Sequence, residues 1–552
     1  MPTLQPRQGG HILVDALVRE GAAFVYCVPG ESFLPVLDAL AATQSIRTVV
    51  TRHEGAASNM ADAYGKLTGE PGLCFVTRGP GATHAANGLH TARQDSTPMI
   101  LFIGQVDSAF LGREAFQEID YTAMFGSIAK WVAQPRSVDE LAPTVARAYA
   151  LARSGRPGPV VVVLPDDLLF GSGMAPDAAP SPAPTRRAPS AASLAELQQR
   201  LDAEQRPLLI VGGSRWDAAG RDALHAFAAA RALPVVAGFR RQDLFDNRNE
   251  HYVGQLGFGA SAQLAQRVRD TDLLLVLGSR LSEVSSAGYT LVESPQPRQT
   301  LIHIHPDAAE LGRVYRAALG IEADASATAQ ALAALPAPAA PRWVDWTRAA
   351  RADHLHYVTP PPFAGHGVDL AAVVAHLSAT LPDDAVVANG AGNYAVWVHR
   401  FYRYRGAATE LAPTNGAMGY GLPAAIAAKL AAPTRDVVCF AGDGCFMMYA
   451  QELATAMQYG AAVIVLVVDN GMLGTIRMHQ QREYPGRVAA TALRNPDFVA
   501  LARAHGAWAE RVDDTAQFAS AFERARAAGC VALLHLRVDP LQITPQLRLD
   551  AA

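Results

Sequence analysis

Cysteine is scarce in this chain. Cys27, Cys74, Cys439, Cys445 and Cys530 are the only five in 552 residues. They are odd in number and form no Cys-x-x-Cys pair, which argues against a disulfide framework or a zinc site and fits a reducing, cytoplasmic setting. Long hydrophobic runs are missing too. The longest, such as 461–468, have the length of a strand and cannot cross a bilayer. The amino terminus, Met1 to Gly10, lacks the apolar core of a secretory signal. Charge is thin, with 18% charged residues and a net charge of -4. Basic clusters are short, so nothing pulls the chain toward nucleic acid or an anionic membrane.

Apolar residues, by contrast, make up 50% of the chain. That is ample for several cores, and the length exceeds what one core usually serves. Pro/Ala-rich stretches at 171–190 and 336–365 read as extended linkers. They divide the chain into 1–170, 191–335 and 366–552. Each part alternates short β-branched runs with longer Ala/Leu-rich helical patterns, which predicts α/β architecture: three doubly wound parallel-sheet domains. Strands are expected at 24–28, 48–51, 73–77, 99–104 and 160–164 in the first part. The second has them at 207–213, 233–237, 273–278 and 300–304, and the third at 386–389, 437–441, 461–469 and 532–538. The outer two parts look alike in element order.

The strand run at 437–441 stops at Gly442-Asp443-Gly444. A helical pattern over 445–459 follows, ending at Gly460, and a second strand closes at Asp469-Asn470. Parallel strands end on one sheet edge, where α/β proteins bind ligands, so Asp443 and Asn470 can converge on one cation. A carboxylate, an amide oxygen and a backbone carbonyl suit magnesium, which fills its other positions with water and phosphate. Gly442 and Gly444 allow backbone amides to approach that phosphate, and the start of the helix at Cys445 attracts its charge. Gly-Asp-Gly alone also fits an ordinary turn.

This segment resembles the diphosphate signature of thiamine diphosphate enzymes, a Gly-Asp-Gly followed by an Asn-Asn pair, here Asp469-Asn470. The resemblance implies that Asp443, Asn470 and the Met472 carbonyl bind the metal. Leu473 and Gly474 would continue the cofactor-binding turn.

Thr51-Arg52-His53-Glu54 lies where a strand ends and an amphipathic helix begins, with Gly69 as its stop. An acid there also suits the helix dipole. The sequence RHEGAASNMADAYGKLTG, with VTRGPGATHAANGLHTARQDSTPMILFIGQV after it, is similar to the pyrimidine-binding domain of the acetolactate synthase family. By that resemblance Glu54 hydrogen-bonds the cofactor's aminopyrimidine ring and favours an imino form whose nitrogen removes the thiazolium C2 proton. The resemblance places Pro29, Gly30, Gly81 and Gln117 around the thiazolium. It gives Asn393 and Tyr394 phosphate contacts, and it assigns the Gly416 carbonyl, Met418 amide and Met418 side chain to the pyrimidine.

The resemblance spans nearly the whole chain and implies decarboxylation of pyruvate followed by joining of its two-carbon remainder to a second small 2-oxo acid. A 2-oxo acid decarboxylase, or a C–C lyase or carboligase with another donor or acceptor, is the alternative. Biosynthetic members carry an Arg-Phe-Asp-Asp-Arg run where this chain reads Arg280-Leu281-Ser282-Glu283-Val284, so the acceptor's cation is missing. Arg477 or His479 could line the substrate entrance instead. Arg280 leaves FAD or another nucleotide open in the central domain. In the family each active site lies between two subunits, which implies a homodimer or homotetramer.

Overall fold

A computed structural model describes residues 6–174 and 179–549. The ends of the expected outer domains, and 175–178 of the expected first linker, lie outside the described residues. Three six-stranded parallel sheets form, each with helices on its faces.

In chain order of its strands, the first sheet is arranged 2-1-3-4-6-5, from Phe24–Cys27 through Arg47–Val50, Gly72–Val76, Met99–Gln105, Trp131–Ala133 and Pro159–Pro165. The third sheet has the same order, built from Val386–Asn389, Glu410–Leu411, Val437–Gly442, Ile464–Asp469, Trp508–Val512 and Ala532–Arg537. The likeness expected of the outer parts is therefore one of strand order. The central sheet differs, running 3-2-1-4-5-6 from Pro207–Val211, Val235–Ala237, Tyr252–Gln255, Leu273–Leu277, Thr300–His305 and Leu319–Glu322. That is the order of dinucleotide-binding folds, with its crevice between strands 1 and 4.

The inner strands are uninterrupted apolar runs because both faces are covered; Pro159–Pro165 and Leu273–Leu277 are buried throughout. The outer domains share one hydrophobic core. Helix Glu54–Thr68 packs against helix Gly421–Ala431, an Ala-rich element buried almost all round.

Two local expectations change. The stretch 336–365 is not simply extended: it contains helix Val344–Tyr357. Trp343 is buried in the central core, and the Trp346 indole donates to the Pro207 carbonyl at 3.0 Å, so aromatic anchoring outweighs the flanking prolines. The helical pattern over 445–459 is broken into Asp443–Phe446 and Glu452–Tyr459, with turns between.

Candidate active site

Strands 1 and 3 of the third sheet are neighbours whose following loops leave in opposite directions, which opens a crevice at their carboxyl ends. Asn393 and Tyr394 follow strand 1, and Asp443 follows strand 3. A cavity of about 370 Å³ occupies this place. It gathers Asn393, Tyr394, Gly416, Met418, Gly442, Asp443, Gly444, Cys445, Asn470, Met472, Leu473 and Gly474.

Asp443 is the centre of its polar network. Oδ1 accepts from the Gly444 amide at 2.8 Å, and Oδ2 accepts from the Gly471 amide at 3.0 Å and Asn495 Nδ2 at 2.7 Å. Burial raises the Asp443 carboxyl to about 6; the Asn495 and Gly444 hydrogen bonds oppose the rise, and the Asp469 carboxylate adds to it. Asp469 is held the other way. Burial pushes it up, but the hydrogen bond from His535 Nε2 at 2.8 Å leads a set of donors that keeps it below the usual carboxylate range. Asn470 Oδ1 accepts from the Met472 amide at 3.2 Å, which folds the loop back on itself.

The donor set suits a hydrated magnesium ion: Asp443, Asn470 and Met472, which offer a carboxylate, an amide oxygen and a backbone carbonyl, all line a cavity large enough for a diphosphate and a ring. The glycines fit the same demand. A Cβ on Gly444 would come within 2.9 Å of Leu473 Cδ2 and 3.1 Å of Leu493 Cδ1, so a larger residue there would push side chains aside at the cavity wall.

Tyr394 lines the cavity and is anchored at its hydroxyl. Its hydroxyl accepts from the Gly390 amide at 3.0 Å and donates to Cys445 Sγ at 3.4 Å, so it is tied to the cavity wall. The same sulfur accepts from the Gly419 amide at 3.1 Å and joins the Met418 loop to the Asp443 turn. Asn393 Oδ1 accepts from the Thr475 hydroxyl at 2.9 Å.

The first domain repeats this topology, and the residues expected there gather at its own crevice. Pro29 and Gly30 follow strand 1, and Gly81 follows strand 3. A Cβ on Gly81 would sit 3.6 Å from Glu54 Oε1, and one on Gly30 would meet Thr77 Cβ at 2.6 Å. Glu54 opens helix Glu54–Thr68, capped by His53, whose Nδ1 accepts from the Gly55 amide at 2.9 Å. Gln117 sits at φ 67° in a loop held by Glu118, which accepts from the Gly112 and Ala115 amides, while the Gln117 carbonyl accepts from Gly79 at 2.9 Å.

Glu54, Gln117, Pro29, Gly30 and Gly81 do not line the Asp443 cavity. The two groups of residues thus lie at separate places on one chain.

Sequence reasoning missed Asn495 and the carboxyl-terminal wall of the cavity. Asn495 bridges Asp443 and Asp469, and its strand-like approach pairs Met472 with Ala492. Its only signal is Asn-Pro turn chemistry. Pro361 to Phe363 and Gln542 to Ile543 also line the cavity.

The central crevice is small, about 60 Å³. Gly213 and Gly278 interlock; a Cβ on Gly213 would reach the Gly278 oxygen at 2.3 Å. Arg280 donates to the Gln94 carbonyl at 2.7 Å and Arg241 to that of Asp95 at 2.9 Å. Val284 is half-buried and supplies no charge.

Fold and cavities together define a three-domain thiamine pyrophosphate enzyme. Family models agree: "Thiamine pyrophosphate enzyme, N-terminal TPP binding domain" matches 7–124, the central domain 194–332, and the C-terminal TPP binding domain 390–536. The acetolactate synthase large subunit of Parasynechococcus marenigrum is 34% identical over 92% of this chain and 84% of its own. The isozyme 2 large subunit of Escherichia coli is 31% identical over 97% and 96%, and the Corynebacterium glutamicum large subunit 32% over 94% and 84%. The chain belongs to the acetolactate synthase large-subunit family of thiamine pyrophosphate enzymes. No described helix is long and apolar enough to cross a membrane.

Proposed function

We propose that this enzyme converts two pyruvates and one proton into 2-acetolactate and CO2, using thiamine diphosphate held by magnesium. The carrying observation is the Asp443 cavity, where a carboxylate, an amide oxygen and the Met472 loop border space beside glycine backbone. Thiamine diphosphate supplies a carbanion equivalent and an electron sink. The protein's own work is to anchor and orient. Asp443, Asn470 and the Met472 carbonyl would hold the metal, and Gly442, Gly444, Cys445, Leu473 and Gly474 would line the place of the diphosphate. Asn393 adds a polar contact, and Gly416 with Met418 borders the ring. Glu54 holds a proton at the pyrimidine, with Gln117, Pro29, Gly30 and Gly81 nearby.

Glu54 lies outside the Asp443 cavity, which supports a complete site formed by two copies of the chain as a homodimer or homotetramer. Exposed Phe116, Met447 and Met448 beside the two half-sites suit burial in such an interface. For the central domain, a crevice of about 60 Å³ stapled by arginines supports an enzyme that carries no FAD or other dinucleotide.

Arg280 is committed to Gln94, and Val284 is uncharged. This favours a second reading in which the acceptor lacks a carboxylate, as in a C–C lyase or a carboligase using aldehydes. Mass spectrometry of products from pyruvate alone, and from pyruvate with aldehydes, separates the two. Acetolactate from pyruvate alone supports the first; pyruvate left intact while another donor is consumed removes it.

A further inference from the structure

The carboxylate of Glu54 has a partner that belongs to no other part of the site. His84 Nδ1 lies 2.9 Å from Glu54 Oε2. The two residues sit on different helices, Glu54–Thr68 and Gly79–Asp95, which come into close contact at Gly88. A Cβ there would meet Ser58 Oγ at 2.3 Å and the Ser58 carbonyl carbon at 2.5 Å. His84 is one turn before Gly88, and Glu54 one turn before Ser58. The glycine contact therefore sets the register that brings imidazole to carboxylate.

The imidazole is braced from behind. His53 stacks on it with ring centroids 4.5 Å apart and planes at 29°. His53 is itself fixed by the helix cap, where its Nδ1 accepts the Gly55 amide and so leaves its proton on Nε2. Since the group facing His84 Nδ1 is a carboxylate, that nitrogen is the donor. The titratable groups around His84 are Glu54, His53 and, beyond His53, Tyr449.

We propose that His84 is a positioning residue for Glu54: its Nδ1–H holds Oε2 and leaves Oε1, beside Gly81, free to meet the cofactor's pyrimidine. This rests on the reading of Glu54 as the activating acid. A charge-assisted donor on one oxygen fixes the carboxylate's rotation without occupying the oxygen that acts.

The test uses the full-length enzyme loaded with thiamine diphosphate and magnesium, read by near-ultraviolet circular dichroism of the bound cofactor's amino and imino forms across pH. Glu54→Gln should abolish the pH-dependent interconversion. His84→Ala should move its midpoint by about one pH unit or more, the size expected for losing a hydrogen bond to a charged group. His84→Asn, whose amide can donate from a similar place, should return it to within a few tenths. His84 is half-exposed, so truncation opens no core cavity. An unmoved midpoint in His84→Ala, with the signal lost in Glu54→Gln, would overturn the role of His84 and leave Glu54 standing. An interconversion that survives Glu54→Gln would overturn both. A His84→Asn midpoint that stays with His84→Ala would also count against a hydrogen-bonding role.

Discussion

Asn495 Nδ2 donates to Asp443 Oδ2 at 2.7 Å across 52 positions of sequence. The same amide reaches Asp469 Oδ1 at 2.9 Å, so one neutral side chain ties two neighbouring carboxylates together. Asn495→Ala should loosen Asp443 and weaken magnesium-dependent cofactor binding about 10-fold, the lower end for residues that orient a metal ligand. Titration calorimetry of thiamine diphosphate at fixed magnesium measures it; unchanged affinity would remove Asn495 from the metal network.

Asp443→Asn keeps the shape of the side chain and discards its charge. We expect cofactor binding in magnesium to fall by at least about 100-fold, since a hard cation is held chiefly by anionic oxygen. Far-ultraviolet circular dichroism should remain that of the parent. Retained tight binding would place the metal elsewhere.

Glu410 should make stability pH-dependent. It lies buried where the central and third domains meet, with Oε2 accepting from the Gln242 amide at 2.7 Å. Burial first, and the neighbouring Asp243 carboxylate second, raise it from 4.5 to about 8. A folded-state value above the unfolded one means that the native protein keeps a proton the unfolded chain releases. The associated stability is full below about pH 4.5 and is lost as pH rises toward 8. Glu410→Gln should flatten the fall in Tm across this window. A variant with the parent's slope would assign the dependence to other groups.

Lys66 is buried between Asp62, at 2.9 Å, and Asp95, with Tyr420 Oη 3.1 Å away. Lys66→Met would leave two acids without their cation where the first and third domains pack. A loss of about 3–5 kcal/mol is expected, as for other broken buried pairs, and denaturant unfolding checks it. A change below about 1 kcal/mol would show that the carboxylates take up protons or rearrange at little cost.

The small central crevice, about 60 Å³, predicts a colourless protein. Purified enzyme should show no flavin absorbance or fluorescence, and added FAD should leave Tm unchanged. A yellow preparation with about one flavin per chain would mean that Arg241 and Arg280 release the first domain to open the crevice.

The sequence allowed all the inner strands to be read, because a strand covered on both faces must be apolar throughout. The strands it hid in the six-stranded sheets, Trp131–Ala133, Tyr252–Gln255, Leu319–Glu322, Glu410–Leu411 and Trp508–Val512, all stand at sheet edges, and the short pair Arg7–Gln8 and Ser172–Gly173 escaped it too. Edge strands pair on one side and have weaker patterns; Arg47–Val50 was legible because Val49 and Val50 precede a clear helix start. Helix Val344–Tyr357 was hidden by prolines on both sides. Asp443, Asn470 and Glu54 could be found because strand ends and a helix start gave them positions. Asn495 could not, since its importance comes from meeting Asp443 in space.

The arginines that line the central crevice, and two beyond it, also change how the molecule should come apart. Arg280, Arg241 and the buried Arg156–Glu310 pair, at 2.6 Å, join the central domain to the first, while Arg240 donates to Gly390 O at 2.8 Å in the third. Freeing the central domain would strip these guanidinium groups of acceptors while they are still partly desolvated, a penalty that rises before any sheet gains freedom. Three architectural units are thereby coupled into one cooperative unit, so calorimetry should record a single endotherm where domain count alone suggests three.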